Sequence, residues 1–167
     1  VFVFNIGANV PCSVLDESAR KYFKIWEMAC FGGFLNGREV ARRMVTRADP
    51  QRRQTIIFTG ATASVRGASG FAAFAGAKHA LRALAQSMAR ELGPRGIHVN
   101  AIAPGWFPTA MAEKVIERAE ASILASTPLG RIGGEHDLKG VVVFLAGRAS
   151  DFITGQTIVV DGGRSIC

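Results

Sequence analysis

Short apolar segments rich in β-forming residues alternate with longer helical patterns along this chain. The apolar segments span residues 1–6, 55–59, 97–103 and 157–160. Each has the length of a strand, and an apolar run without polar alternation is typical of a strand that is buried on both faces. The alternation therefore predicts an α/β fold, namely a doubly wound parallel sheet with helices on both faces and right-handed crossovers.

Helical patterns connect these strands. Apolar residues three or four apart predict helices over residues 16–45, 71–92, 109–126 and 135–146. Ser13 or Asp16 is the expected N-cap of the first helix, and Asp49-Pro50 is its expected end. Gly32-Gly33 interrupts the same helix and predicts a bend or close packing.

Length and composition fit one domain over residues 1–167, and the apolar fraction of 49% excludes a disordered chain. No stretch of about 18 uncharged apolar residues occurs, so we expect no membrane span. The three cysteines lie far apart without a C-x-x-C pair. This pattern is typical of reduced thiols in a cytoplasmic protein and argues against a disulfide framework or a zinc site.

The net charge of +7 leaves two interpretations open, a nucleic-acid or anionic-membrane surface and a soluble domain with a basic rim. Arginines are concentrated in residues 38–53, but no aromatic residue lies among them to stack on bases. We therefore expect neither a nucleic-acid nor a membrane partner. We also expect no metal site, because Glu135-His136-Asp137 are consecutive helical residues that point in different directions.

In open parallel sheets, ligands bind beyond the carboxyl ends of the strands, which here means residues 5–9, 59–64 and 104–109. A series of motifs in and around these segments resembles the short-chain dehydrogenase/reductase family. The similar segments are Asn5-Ile6-Gly7, residues 74–78 in place of the family's Tyr-x-x-x-Lys, residues 90–100, Pro104-Gly105-x-x-x-Thr109, and residues 128–131, 151–155 and 160–163.

The resemblance implies proton transfer by a tyrosine whose pKa is lowered by a lysine four residues later on the same helix face. This chain has Phe74 at the tyrosine position and keeps Lys78. Its one tyrosine, Tyr22, is followed four residues later by Trp26 and cannot rebuild the pair locally.

The family's other catalytic positions are also substituted. Ala61 stands thirteen residues before Phe74, where the family has serine, and the family's helix asparagine falls near Ala29. Thr62 and Ser64 are neighbours that could supply a hydroxyl. The predicted catalytic positions are therefore Lys78, Phe74, Ala61, Thr62 and Ser64.

The resemblance also implies NAD or NADP as cofactor, with residues 104–109 around the nicotinamide and residues 106–126 as a mobile lid over the substrate. The candidate cofactor-binding residues are Asn5, Gly7, Thr59, Lys78, Pro104, Gly105, Phe107 and Thr109. Ordinary alternatives stay open: Asn5 could bond nearby backbone, Thr109 could cap a helix, and Lys78 could be a surface lysine.

The chain shows no Gly-rich turn between a first strand and its helix, since Ser64 and Arg66 stand where further glycines would be needed after Gly60. By resemblance, it begins at the fourth strand of a seven-stranded sheet, a partial Rossmann fold without the N-terminal dinucleotide-binding half. Its first strand would then be an apolar edge, so we expect this stretch alone to be poorly soluble or to pair with another chain.

Two functions remain in view. One is an NAD(P)-dependent oxidoreductase acting on a small-molecule alcohol or carbonyl, with its proton-transfer chemistry damaged. The other is an inactive family member that serves as a binding or assembly subunit. In either case the resemblance implies a homo-oligomer, a dimer or tetramer, that pairs through the two long helices 16–45 and 71–92 and through the last helix and strand.

Overall fold

The computed structural model describes residues 1–47 and 53–167, so the predicted helix end at Asp49-Pro50 lies outside the described residues. It contains one parallel sheet of four strands in the order β1-β2-β3-β4. The strands are β1 Phe2–Phe4, β2 Gln54–Thr59, β3 Ile97–Pro104 and β4 Thr157–Val160. The α/β class and the parallel sheet are thus confirmed. All four carboxyl ends meet at one edge, which we call the crest of the sheet.

The helices cover both faces of this sheet. They are α1 Ala19–Trp26, α2 Gly32–Thr46, α3 Ala72–Leu92, α4 Glu113–Ala125 and α5 Glu135–Ala146. On one face, α2 and α3 bury a cluster that includes Phe4, Phe58 and Leu81. On the other face, α5 packs Leu145 against Ile57 and neighbouring strand residues. Burial of these apolar side chains is the main stabilising contribution to the fold.

The first helix begins later than predicted. Ser18 is its N-cap, and the Ser18 hydroxyl accepts a hydrogen bond from the Lys21 amide at 3.2 Å. The prediction of Ser13 or Asp16 was wrong, because the Ser13 carbonyl accepts bonds from the Asp16 and Glu17 amides in a separate turn. A capping residue followed by a tight turn cannot be told from one followed by a helix by residue type alone.

The glycine pair has the predicted effect on packing. A π-helical turn, Glu27–Phe31, separates α1 from α2, and Gly33 lies directly against α3. A Cβ atom on Gly33 would lie 2.5 Å from Leu81 Cδ1. The two helices can therefore cross at this distance only where one of them has no side chain.

The helix predicted over 109–126 begins at Glu113. The Thr109 carbonyl and hydroxyl both accept bonds from the Ala112 amide, at 2.8 and 3.3 Å, so residues 109–112 form a turn before the helix. This arrangement leaves residues 105–112 as a loop over the crest of the sheet.

Arg53 fastens the opposite end of the sheet. Its guanidinium Nη2 donates to the carbonyls of Leu145 and Ser150, both at 3.1 Å, and to the Ser150 hydroxyl at 2.8 Å. Its Nη1 pairs with Asp151. This Arg53 clasp joins the start of β2 to the end of α5, far from the crest. Within the described ranges, no helix is long and apolar enough to cross a bilayer.

Candidate functional site

A cleft of about 580 Å³ opens at the crest of the sheet. It lies between the loops that follow β1, β2 and β3, the first turns of α3, and the loop before α4. Nearly all the predicted site residues line it: Asn5, Gly7, Thr59, Ala61, Thr62, Phe74, Lys78, Pro104, Gly105, Phe107 and Thr109. Residues distant in sequence meet here because parallel strands all end at the same edge.

Lys78 projects from α3 to the crest. It is 4% exposed, and its ammonium donates a hydrogen bond to the Thr59 carbonyl at 2.7 Å, at the end of β2. Burial lowers the pKa of Lys78 to about 8, because a low-dielectric environment disfavours the charged form. Gly7 makes room for this side chain, since a Cβ atom there would lie 3.3 Å from Lys78 Nζ. Lys78 is therefore a buried cation on the cleft wall and not a solvated surface lysine.

Phe74 stands one helical turn before Lys78. Its ring centroid lies 5.8 Å from Lys78 Nζ, as the four-residue spacing requires on one helix face. The ring faces the cleft but carries no exchangeable proton. Tyr22 does not replace it, because the Tyr22 hydroxyl packs against Gly76 on α3 and Tyr22 is not among the residues described as lining the cleft.

The loop after β2 holds its hydroxyls in internal hydrogen bonds. Ser64 is fully buried, donates to the Ala61 carbonyl at 2.6 Å, and does not line the cleft. Thr62 lines the cleft and donates to Asp161 Oδ2 at 3.0 Å. Ala29 lies in an apolar cluster with Ile25 and offers no polar group. Of the two hydroxyls proposed as substitutes, only that of Thr62 reaches the cleft.

The loop after β3 is fixed by close backbone approaches. The Gly105 amide donates to the Val160 carbonyl at 2.9 Å, and a Cβ atom on Gly105 would lie 2.7 Å from the Cα of Asp161. Phe107 packs on Gly133, where a Cβ atom would come within 2.5 Å of the ring. The start of the predicted lid is thus anchored at two glycines, while residues 109–112 turn over the cleft.

Three polar residues that line the cleft were not among the predicted site residues. Asn9 follows β1, and its buried Oδ1 has no hydrogen-bond partner among the residues that the structure describes. Arg66 follows β2 and Arg164 follows β4, and both reach the cleft. The two arginines are 98 residues apart. In the sequence, only the position of each charge shortly after a predicted strand could have indicated that they belong to the site.

Glu135 and Asp137 lie in the first turn of α5, where the helix over 135–146 was predicted to begin. Asp137 accepts from the Gly134 amide at 2.7 Å, and its two carboxylate oxygens pair with Arg131 at 2.6 and 2.8 Å. These contacts hold the pKa of Asp137 well below its usual range, with the Arg131 hydrogen bond as the first cause. The carboxylate therefore caps α5, at a place where the helix dipole favours negative charge.

Comparison with known proteins gives consistent matches. The family model described as enoyl-(acyl carrier protein) reductase matches residues 1–165. The chain is 39% identical over 163 residues to 3-oxoacyl-acyl-carrier-protein reductase of Escherichia coli (strain K12), covering 98% of this chain and 65% of that protein. It is 36% identical over 168 residues to gluconate 5-dehydrogenase of Gluconobacter oxydans (strain 621H), covering 99% and 64%. The chain thus spans just under two thirds of the length of these relatives.

Solved structures match the fold closely. A gluconate 5-dehydrogenase from Burkholderia cenocepacia J2315, in complex with NADP and tartrate, is similar with a TM-score of 0.92 and 30% identity, covering 99% of this chain and 64% of that one. A 4-hydroxyisoleucine dehydrogenase complexed with NADH also gives a TM-score of 0.92, with 26% identity, covering 99% and 68%.

Proposed function

Because the chain belongs to the short-chain dehydrogenase/reductase family, we propose that it is the crest-forming part of an NAD(P)-dependent oxidoreductase that acts on an alcohol or carbonyl. The observation that carries this proposal is the buried Lys78 ammonium, held at the carboxyl ends of the strands beside an open cleft. A buried cation is costly unless it is paired or hydrogen-bonded, and within residues 1–47 and 53–167 Lys78 has one carbonyl partner for its three donors.

The residues of the cleft fit a nicotinamide dinucleotide. Lys78 has donors free to bond the hydroxyls of a ribose, and Gly7 leaves open the space that a side chain would fill. Asn9 supplies a buried oxygen that has no partner in the described part of the chain, and Thr109 stands on the loop over the cleft. When bound, the nicotinamide would donate or accept the hydride. Relatives solved with NADP and with NADH support both forms of the cofactor.

Proton transfer is the weak step in this site. Phe74 cannot give or take a proton, and the Thr62 hydroxyl is already engaged with Asp161. Of the titratable side chains that line the cleft (Arg66, Lys78 and Arg164), Lys78 has a pKa of about 8, which is near neutrality. We therefore propose a slow oxidoreductase, in which water or Lys78 must exchange the proton with the substrate oxygen.

The test restores the missing phenol in the protein at its full natural length. Phe74→Tyr places a hydroxyl within reach of Lys78, and a positioned acid–base group contributes about 10²- to 10⁴-fold to rate. We expect turnover of ketones or alcohols with NADPH or NADH to rise by at least about 10²-fold. The matched control is Phe71→Tyr, which adds a phenol to the same cleft but lacks the four-residue spacing to Lys78. An equal rise in both variants, or none in Phe74→Tyr, would contradict the proposal.

The alternative is an inactive member that keeps the dinucleotide site and serves as a binding or assembly subunit. The substitutions at Phe74, Ala61 and Ala29 favour it, since each removes a polar group from the family's catalytic set. It predicts that both the native protein and Phe74→Tyr bind NADH or NADPH, measured by nicotinamide fluorescence, without turnover. If the protein bound neither NADH nor NADPH, the assignment of NAD(P) as cofactor would be wrong for both proposed functions.

A further inference from the structure

The charged residues that line the cleft are all cationic. They are Arg66, Lys78 and Arg164, and no aspartate or glutamate stands with them among the lining residues of the described chain. Asp161 lies just behind the wall, where its carboxylate accepts bonds from the Thr62 hydroxyl and the Gly163 amide, both at 3.0 Å. The charged side chains that face the cleft are therefore positive, while the Asp161 carboxylate behind the wall offsets part of this charge at Arg164.

Contacts with the end of α4 and with Trp106 hold the Arg164 side chain in place. Its Nη1 donates to the Ile123 carbonyl at 3.4 Å and to the Ser126 hydroxyl, and its Cζ lies 6.0 Å from the centroid of the Trp106 ring. Burial, followed by the positive charge of Arg66, lowers the pKa of Arg164. The guanidinium is thus preorganised and partly desolvated, which strengthens its interaction with an anion.

Arg66 is brought to the same place by backbone contacts. Its Nη1 donates to the carbonyl of Arg164 at 2.7 Å and to a backbone oxygen of Cys167, the last residue of the sequence, at 2.5 Å. Across the described residues, the recorded hydrogen bonds of both arginines use Nη1 alone, so Nε and Nη2 of each side chain remain available. Two like charges held close together, with donors to spare, are stabilised by an anion between them.

We propose that the substrate of this site carries a carboxylate, which binds between Arg66 and Arg164. The inference rests on the proposed oxidoreductase function and narrows its substrate class to small hydroxy or oxo acids. The planar fork of arginine matches a carboxylate in bidentate geometry, so two arginines discriminate an acid from a neutral polyol of the same size. Trp106, beside Arg164, would cover the apolar side of such a ligand.

The test compares D-gluconate with D-glucitol, two six-carbon chains that differ in a carboxylate against a hydroxymethyl group. Binding is measured by titration calorimetry on the full-length protein saturated with NADH or NADPH. We expect gluconate to bind and glucitol not to bind. We expect Arg66→Gln and Arg164→Gln each to weaken gluconate binding by about tenfold or more, because each removes a charge-assisted hydrogen bond. The matched control is Arg148→Gln, an arginine 96% exposed outside the cleft lining.

The arginines could bind either the acid or the phosphates of the dinucleotide. Separate titrations with the acid and with the dinucleotide distinguish these two anions. We expect NADH or NADPH affinity to stay unchanged in both arginine variants. A fall in dinucleotide affinity would instead assign the arginines to the cofactor and overturn the proposal. Equal binding of gluconate and glucitol would also overturn it, and so would an unchanged gluconate affinity in Arg66→Gln. Failure of the native protein to bind either dinucleotide would refute the proposed function itself.

Discussion

At the scale of single residues, Lys78 is a charge held where charge is disfavoured. Its pKa is lowered from 10.5 to about 8 by burial. Folding therefore costs free energy while the lysine is protonated in both states, below about pH 8. Between about pH 8 and 10.5 the unfolded chain binds the proton and the folded chain does not, so the lysine's contribution to stability improves as pH rises.

Replacing this lysine should remove that pH dependence. The shift of the pKa corresponds to a free-energy cost on the order of 3 kcal/mol at neutral pH. We expect the free energy of unfolding of Lys78→Met, relative to that of the native chain, to be higher at pH 7 than at pH 10. The difference between the two proteins should close or reverse as pH rises. Urea unfolding at several pH values measures it.

Lys114→Met is the control, because Lys114 is exposed on α4. Its difference from the native chain should stay constant over the same pH range. A difference between Lys78→Met and the native chain that does not change with pH would show that the ammonium is solvated in the folded protein, contrary to the buried position described here.

The sequence could predict some site residues and not others, for physical reasons. Phe74 and Lys78 were predictable together, because a spacing of four places two residues on one helix face. Ser64 was not separable from Thr62, since the direction of each hydroxyl depends on a single tight turn. Arg66 and Arg164 meet only through the ends of different strands, and nothing local links them.

At the scale of elements, the crossing of α2 and α3 depends on one missing side chain. A Cβ on Gly33 would overlap Leu81 Cδ1, while a Cβ on Gly140, in the middle of α5, would meet nothing within 4 Å. We expect Gly33→Ala to destabilise the fold by about 1–3 kcal/mol through overpacking. Gly140→Ala should stabilise it by about 0.5–1 kcal/mol, because alanine is the better helix former.

Thermal or urea unfolding of the two variants measures this pair of effects. Both substitutions add the same methyl group to a helix, so the helix-propensity effect has the same sign in each. If both stabilised the chain, the two helices would have to be further apart than the Gly33–Leu81 contact requires.

Elements with strong, uninterrupted patterns were predicted at their observed bounds. The helix over 135–146 and the strand over 157–160 are examples, and both are confirmed. The strand predicted over 1–6 is shorter in the structure and ends at Phe4. The helix errors fall at the starts of α1 and α4, where Ser13 and Thr109 form turns several residues before the helix. Turn and cap use the same small polar residues, so the boundary is decided by backbone contacts that the pattern does not contain.

At the scale of the whole molecule, two apolar surfaces remain open for association. β1 pairs with β2 alone among the described strands, and Val3 on it is 43% exposed. The face of α1 and α2 carries stacked aromatic rings with centroids 6.0–6.3 Å apart, which include those of Phe31 and Phe34. An unpaired apolar edge recruits strands, and an exposed aromatic face recruits helices. Homo-oligomerisation through the long helices stays a proposal, and the aromatic face of α1 and α2 supports it.

One charged substitution on each surface should show how much that surface contributes to self-association. We expect the 167-residue chain on its own to self-associate in sedimentation velocity, and Val3→Lys to reduce the association through the strand edge. Phe31→Glu should reduce only the association through the aromatic face. Leu129→Lys, at a residue 66% exposed in the loop before α5, is the control and should change neither. A sharp monomer peak for the native chain, with cooperative unfolding, would contradict both parts.

The Arg53 clasp holds the amino-terminal end of the sheet, whereas the loops at the crest lie far from it and are free to vary. Every bond of the clasp joins backbone or side chains at the amino-terminal end of the sheet, so it makes no demand on the loops at the other end. Those loops can therefore be exchanged, lengthened or re-charged while the framework keeps its register. In such a protein, we therefore expect a change of substrate preference to require substitutions in the loops at the crest and none in the Arg53 clasp.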